Sequence, residues 1–448
     1  MNGIIFLLIS GISGACILYG LLQSARESGD ERLRFWQKAA KSCGLQVVEV
    51  SGYLEARAGL INVRIEDARD QERPKSRLVV EGPAPPDFQH VMIRPEPRIR
   101  FGREIEIGDL RFDSTFFIVG PARLVLALLD AEVRSLLLAT SAEGLLEISY
   151  GKLEAVVPDE KVPEVLPLLV DIRKRFIAPM DIPRRLADNV SRDPWAGVRL
   201  KNLLLLIREL PDDPATARAL RKACSDPNPE IRLRAAKQLG PEGHGTLLKV
   251  ARDLRDDAVS AEAVSTLDRE LPLKRARSIL VQALSLNRLR TARACLQVLG
   301  HSGAAAAVDP LTKVLASKNI ELATAAPQAL GETGSPAAEP SLIQALQRDQ
   351  TDLQVAAASA MGRVGSTAAV LPLKEAAERS RLDLELHRAT RQAIAEIQSR
   401  LQGASPGQLS LAGGEAGQLS LAQTEAGQLS LAEDPAGQLS IPPGEDPA

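Results

Sequence analysis

Aromatic residues are scarce in this 448-residue chain: eight Phe, three Tyr and two Trp, 3% in all. That supply leaves little for stacking bases or lining a wide apolar pocket, and the core falls to alanine and leucine, which suit closely packed helices. The four cysteines, Cys16, Cys43, Cys224 and Cys295, form no CxxC pair and have no metal-ligand neighbour at a suitable spacing. They read as buried thiols in a reducing compartment. No P-loop, GxSxG or HExxH occurs, so the sequence gives no reason to expect an enzyme, a cofactor or a metal. Lys and Arg are absent after Leu401, where six acids remain. The formal net charge of −2 argues against a nucleic-acid binder as a whole, although charge is unevenly spread.

One long uncharged run is present. Ile4 to Leu22 reads IIFLLISGISGACILYGLL, nineteen residues. At 1.5 Å per residue this matches an apolar bilayer core of about 30 Å. No basic residue precedes it and no small-residue cleavage site follows, so a retained transmembrane helix over 3–23 is expected rather than a signal peptide. Arg26, Arg32, Arg34, Lys38 and Lys41 follow it. The positive-inside rule then predicts a single-pass inner-membrane protein with most of its chain in the cytoplasm.

Residues 30–180 read as a small α+β domain. GDERLRFWQKAAKSCG has the pattern of an amphipathic helix ending at Gly44. Short apolar runs at Leu45–Val50, Leu60–Ile65, Leu78–Val80, Val91–Ile93 and Ile105–Ile107 read as strands, and Leu145–Ser149 with Leu153–Val157 as a hairpin around Gly151. Helical spacing runs through Leu126, Leu129, Val133 and Leu137, and a last helix is expected from Asp159 to about Phe176. Asp109 and Asp113 alternate with Leu110 and Phe112, which predicts the solvent face of a strand or turn rather than a catalytic carboxylate pair. FDSTFFIVG followed by LLDAEVRSLLL loosely resembles a domain of undefined function in bacterial single-span proteins. A linker is expected over 181–194.

From 195 to 401 the sequence repeats itself. Leu284, Leu315 and Leu346 recur every 31 residues, and with them LGHSG (Leu299–Gly303), LGETG (Leu330–Gly334) and MGRVG (Met361–Gly365). Ala306-Ala307, Ala337-Ala338 and Ala368-Ala369 fall in the same register, as do Leu311, Leu342 and Leu373. DPNPEIRLRAAKQLG, from Asp226 to Gly240, is a divergent earlier copy; Leu382–Ile397 is a last one without the glycine pair. Each unit predicts two short helices whose apolar stripes only a neighbouring unit can bury. Alanine lets those helices approach closely. The first glycine of each LGxxG is expected to be the left-handed helix cap and the second to turn the chain back. Pro327 should kink its helix, and Gly243–Leu273 fits the register poorly.

This pattern resembles HEAT repeats, in particular the short bacterial kind named after phycobiliprotein lyases, and it implies an all-α solenoid. The wider family includes iron hydroxylases with repeated His-Glu pairs. None of His90, His244, His301 and His387 is followed by Glu, so that chemistry does not carry over, and His301 reads as a solvated turn residue.

Between Arg184 and Arg293 there are 22 Lys and Arg against 14 Asp and Glu. Arg232, Arg234 and Lys237 are the candidate face for an anionic partner, although most of these cations read as solvated helix faces. The tail, 402–448, repeats GQLSLA-type phrases every ten residues and is expected to be disordered when free. Leu409 and Leu411, Leu419 and Leu421, Leu429 and Leu431, and Leu439 and Ile441 each put two apolar residues on one side of an extended segment. Four copies suit multivalent docking, either to an outside protein or to this chain's own sheet or basic solenoid. A neutral expansion of a tandem repeat is the alternative. The whole reads as a membrane-anchored, protein-binding scaffold without catalytic function. An accessory, lyase-like role is the second reading; binding of nucleic acid or anionic lipid through 184–293 is the third.

Overall fold

The computed structural model describes residues 30–68, 74–97, 104–176, 180–317, 319–380 and 382–400, and the backbone of 409–411 and 419–421. The apolar run Ile4–Leu22 and the helix expected over 3–23 lie outside these residues. Among the described residues no helix is long and apolar enough to cross a membrane. The chain divides into two compact units, 1–239 and 240–448.

In the first unit, alternation of apolar and charged residues builds one antiparallel sheet. Strands β1 (Gln46–Val50), β2 (Leu54–Ala58), β3 (Ile61–Asp67) and β4 (Lys75–Glu81) form a meander. β5 (Met92–Pro95), β6 (Phe116–Val119), β7 (Leu145–Ser149) and β8 (Lys152–Pro158) complete the order β1-β2-β3-β4-β8-β7-β5-β6. β2 was not foreseen; its LEARA alternation is short and charged. Ile105–Ile107 is not a strand, although the Ile105 N–H bonds the carbonyl of Ile118 on β6. Leu54, Val63, Ile65, Leu78, Val80, Leu153 and Ala155 point to a buried face, where helices α1 (residues 30–42) and α5 (Val162–Arg175) supply apolar cover. The indole of Trp36 on α1 donates to Ser76 Oγ at 2.9 Å, and Ser76 donates to Asp159.

Several expectations for 108–194 need correction. Asp109 is buried and caps a one-turn helix α2 (Leu110–Asp113), while Leu110 is 85% exposed, so the alternation was read with the wrong period. The helix expected through Leu126 and Leu137 is two, α3 (Ala122–Leu128) and α4 (Ala131–Glu143), because Asp130 accepts the N–H bonds of Glu132 and Val133 and starts a new helix. The linker over 181–194 is instead helix α6 (Ile182–Arg192), which precedes α7 (Ala196–Glu209), α8 (Pro214–Ala223) and α9 (Pro229–Leu239). These helices share the sheet's core, so the first compact unit runs to Leu239 rather than ending before Trp195. Two polar ties and one close backbone contact explain why. Asn189 donates to the Leu126 carbonyl at 2.9 Å; Arg134 bridges Asp109 and Asp193; Gly108 and Gly197 abut so closely that a Cβ on either would collide with the other's backbone.

The second unit is helical. It comprises α10 (His244–Asp253), α11 (Asp257–Leu267), α12 (Leu273–Ser285), α13 (Leu289–His301), α14 (Val308–Leu315), α15 (Ile320–Glu332), α16 (Glu339–Leu346), α17 (Thr351–Val364), α18 (Val370–Arg379) and α19 (Leu384–Arg400). Gly243–Leu273, which fitted the register poorly, still forms a helix pair, because apolar spacing survives where the glycines are lost. α15 continues through Pro327 from Ile320 to Glu332. Successive repeats are tied by side chains. Arg348 and Arg379, 31 apart, reach back to the carbonyls of Leu315 (2.9 Å) and Leu346 (3.3 Å), also 31 apart. Asp257 accepts the Arg290 and Thr291 N–H groups and so caps α13 from the preceding repeat.

The LGxxG glycines have the reverse of their expected roles. Gly300, Gly331 and Gly362 lie inside helices, and the first two meet the backbone of Ala329 and Ala360 on the next repeat. The left-handed residues are the second glycines of the first two phrases, Gly303 (φ 61°) and Gly334 (φ 64°), whereas Gly365 of MGRVG is extended (φ −69°). The first glycine is therefore kept free of a side chain by its neighbour, not by its own φ.

The disordered tail expected over 402–448 lies outside the described residues apart from β9 (Leu409–Leu411) and β10 (Leu419–Leu421). These pair antiparallel, with Leu411 opposite Leu419 and Leu409 opposite Leu421.

Candidate functional site

Two polar surfaces are built by repetition of the backbone, one in each unit. On the sheet's uncovered face, period-two alternation brings Glu55, Arg57, Arg64, Glu66, Arg77, Glu81, Lys152 and Glu154 together around a shallow depression of about 500 Å³. The charges pair across strands: Arg64 with Glu55 (3.0 Å), Arg77 with Glu154 (2.7 Å) and Lys152 with Glu81 (2.6 Å). The bonds that it donates to Glu154 raise the Arg77 guanidinium further above its already high range. Arg64 also lies over the Tyr53 ring, 4.5 Å from its centre. A lattice neutralised in this way holds the strands in register and gives a small ion little reason to bind.

The second surface is a row along the solenoid helices. His301 ends α13, Glu332 ends α15, and Arg363 lies in the last turn of α17, at the same position of LGHSG, LGETG and MGRVG. His301 Nδ1 is 2.8 Å from Asp268, its Nε2 is 3.6 Å from Glu332, and Glu332 is 3.9 Å from Arg363. His301 is thus not a bare solvated turn residue but is held between two carboxylates. The sequence signal for the row was the third residue of each repeated phrase, passed over because it varies. Among the described residues, no group of three or more His, Cys, Asp or Glu could hold a metal ion.

Arg232, Arg234 and Lys237 all lie on α9, and all three are already engaged. Arg232 donates to the carbonyls of Asp226 and Pro227, and Arg234 pairs with Glu230 at 2.7 Å. Leu409, Leu411, Leu419 and Leu421 lie in the paired strands; Leu429, Leu431, Leu439 and Ile441 are outside the described residues. The buried charges are structural. Arg134 donates two bonds to Asp193 (2.8 and 3.0 Å) and one to Asp109, and Arg199 donates two to Asp226. Burial drives the Arg173 guanidinium downward, and it donates to the carbonyls of Gly82, Pro83 and Gly151. Burial raises the Cys43 thiol and pushes Cys295 up to about 12, so neither is a ready nucleophile.

Residues 308–395, helices α14 to α19, match the family described as HEAT repeats. No curated protein matches the chain. Solved structures that match include human deoxyhypusine hydroxylase in complex with glycerol, at 16% identity over 48% of this chain and 96% of that one (TM-score 0.22). Another is an engineered protein, at 18% identity over 49% and 90% (TM-score 0.25). A third is the complex of CpcE and CpcF of phycocyanin lyase from Nostoc, at 18% identity over 49% and 96% (TM-score 0.28). The HEAT resemblance read at LGHSG, LGETG and MGRVG holds; it rests on the family match and on the helix pairs themselves.

Proposed function

We propose that this chain is a protein-binding scaffold whose HEAT-type helices recognise a partner through the row Asp268, His301, Glu332 and Arg363. The observation that carries this is register. A single position of a repeated phrase, free to vary, presents imidazole, acid and guanidinium in sequence along packed helices, and Asp268 from the preceding helix pair extends the row at its His301 end. Repeats that touch only their neighbours extend such a row without disturbing the core, which is the physical basis of solenoid recognition surfaces. The nineteen uncharged residues Ile4–Leu22 would tether the scaffold to the inner membrane, with the rest on the cytoplasmic side.

The test is affinity purification of the full chain in mild detergent, compared with a Glu332→Lys, Arg363→Glu variant. The reading expects a partner at constant stoichiometry, lost from the variant while its unfolding free energy stays within about 0.5 kcal/mol of the parent. Equal recovery from both proteins removes the row from recognition. Protease treatment of spheroplasts checks the tether: digestion of the bulk from outside would overturn the assigned side.

A further inference from the structure

One repeat of the second unit is uniformly positive. From Leu271 to Val308 the chain has no Asp or Glu, yet it carries Lys274, Arg275, Arg277, Arg288, Arg290 and Arg293. α12 buries Ala276, Ile279, Leu280 and Ala283. The 3.6-residue period puts Lys274, Arg277, Val281 and Leu284 on the opposite stripe, with Arg275 beside them. Val281 is 60% exposed and Leu286, just past the helix, 57%. Among the described residues, Lys274, Arg275 and Arg277 have no ion-pair partner. Unneutralised cations beside solvated aliphatic side chains fit an acidic segment with spaced leucines. They fit a phosphate backbone less well, because it has nothing to place against Val281 and Leu284.

The chain itself carries such a segment. The first two tail copies are paired with each other in β9 and β10. The third and fourth lie beyond, and four of the six tail acids, Glu433, Asp434, Glu445 and Asp446, follow them. We infer that the third and fourth GQLSL copies dock on α12 of the same chain. Leu429, Leu431, Leu439 and Ile441 cover Val281, Leu284 and Leu286, and the carboxylates that follow meet Lys274, Arg275 and Arg277. Reach permits it. α12 lies three repeats before α18, roughly 30 Å at about 10 Å per packed helix. About fifteen residues outside the hairpin separate Arg400 from Leu429, enough to span up to about 50 Å. This deepens the scaffold reading by giving the solenoid an intrachain ligand, which an outside partner would have to displace or avoid.

Carbodiimide cross-linking of the full chain, read by mass spectrometry, tests the contact without any outside partner. The tail has no lysine, so links from its acids must end on a lysine, or on the α-amino group, elsewhere. Expected are links from Glu433, Asp434, Glu445 and Asp446 to Lys274 within single chains. Their yield should fall at least tenfold on raising the salt to about 0.5 M, which shortens the Debye length to a few ångströms. Replacing Leu429, Leu431, Leu439 and Ile441 by serine should lower it as far. Links to Lys313 or Lys374 as frequent as those to Lys274 would sink the proposal. So would links that join light and heavy chains in an isotopically mixed sample, since the occupant would then be a second copy. Arg275→Glu with Arg277→Glu should also abolish the link. If that variant loses stability, the serine variant still decides, because it changes no residue of helices α10 to α19.

Discussion

The glycines inside the repeat helices give a sharp test of how the second unit is stacked. Alanine is worth about 0.5–1 kcal/mol over glycine in a helix when its methyl meets nothing. Gly245, in the first turn of α10, is such a place, with no heavy atom within 4 Å of a built Cβ. Gly245→Ala should stabilise by about 0.5 kcal/mol. At Gly300 the methyl would lie 2.8 Å from the Ala329 carbonyl oxygen and 3.0 Å from its Cα, so two backbones must separate. Overpacking costs about 1–3 kcal/mol, which exceeds the helix gain and leaves a net loss of up to about 2 kcal/mol. At Gly331 the nearest atom is the Ala360 Cα, at 3.0 Å, and the loss should be smaller. At Gly362 the nearest atom is the carboxylate end of Glu396, which can swing away, and the nearest backbone atom, the Ala393 Cα, lies at 3.2 Å, so the loss should be the smallest of the three. Urea unfolding of the full-length variants by far-UV circular dichroism reads this order. A thermal scan should show about 2–4 °C per kcal/mol at this size. If Gly300→Ala stabilises as much as Gly245→Ala, the helices do not approach through that glycine, and the account of the repeat is wrong.

Three further outcomes follow from the described contacts. Asp193→Ala removes two of the bonds of the buried Arg134 guanidinium and leaves Asp109 as its one carboxylate, so it should cost up to about 3 kcal/mol, seen in the unfolding of the first unit by tryptophan fluorescence; Asp193→Asn should cost less. Burial works to raise the Asp257 carboxyl, but the bonds from Thr291 and Arg290 outweigh it and hold it below the usual range. Its stabilising contribution is therefore complete above the unfolded carboxyl's value of about 3.9 and fades as the pH falls through the lower folded value, so the gap between parent and Asp257→Asn should close on acidification. With its thiol pushed up to about 12, Cys295 should resist maleimide at neutral pH for as long as the second unit stays folded, and should label at once in urea.

The repeat was legible because equivalence is written in spacing. Thirty-one residues separate Leu315 from Leu346, and 31 separate the carbonyl-binding Arg348 from Arg379. Spacing does not say what a position touches. Gly300 and Gly303 looked like cap and turn, yet one is emptied by Ala329 and the other by its own backbone angle. The same blindness affected Asp109, whose partner Arg134, shared with Asp193, is remote in sequence, and the 181–194 segment, whose buried apolar residues Leu186 and Val190 are too few to announce a helix. The row through His301 stayed hidden because its members differ chemically, and pattern reading looks for sameness.

The arginines that bind the preceding repeat all face one way. Arg288 donates to Arg255, Arg348 to Leu315, Arg379 to Leu346, and Arg400 to Gly362 and Gly365, each from the later residue to the earlier. A ribosome makes the earlier residue first. Each nascent repeat therefore emerges with an open carbonyl at a helix end, and is finished only when its successor arrives. Synthesis advances from the first repeat to the last, while completion of the bonding runs one repeat behind it, and a chain stalled midway always ends on the repeat least able to hold itself together.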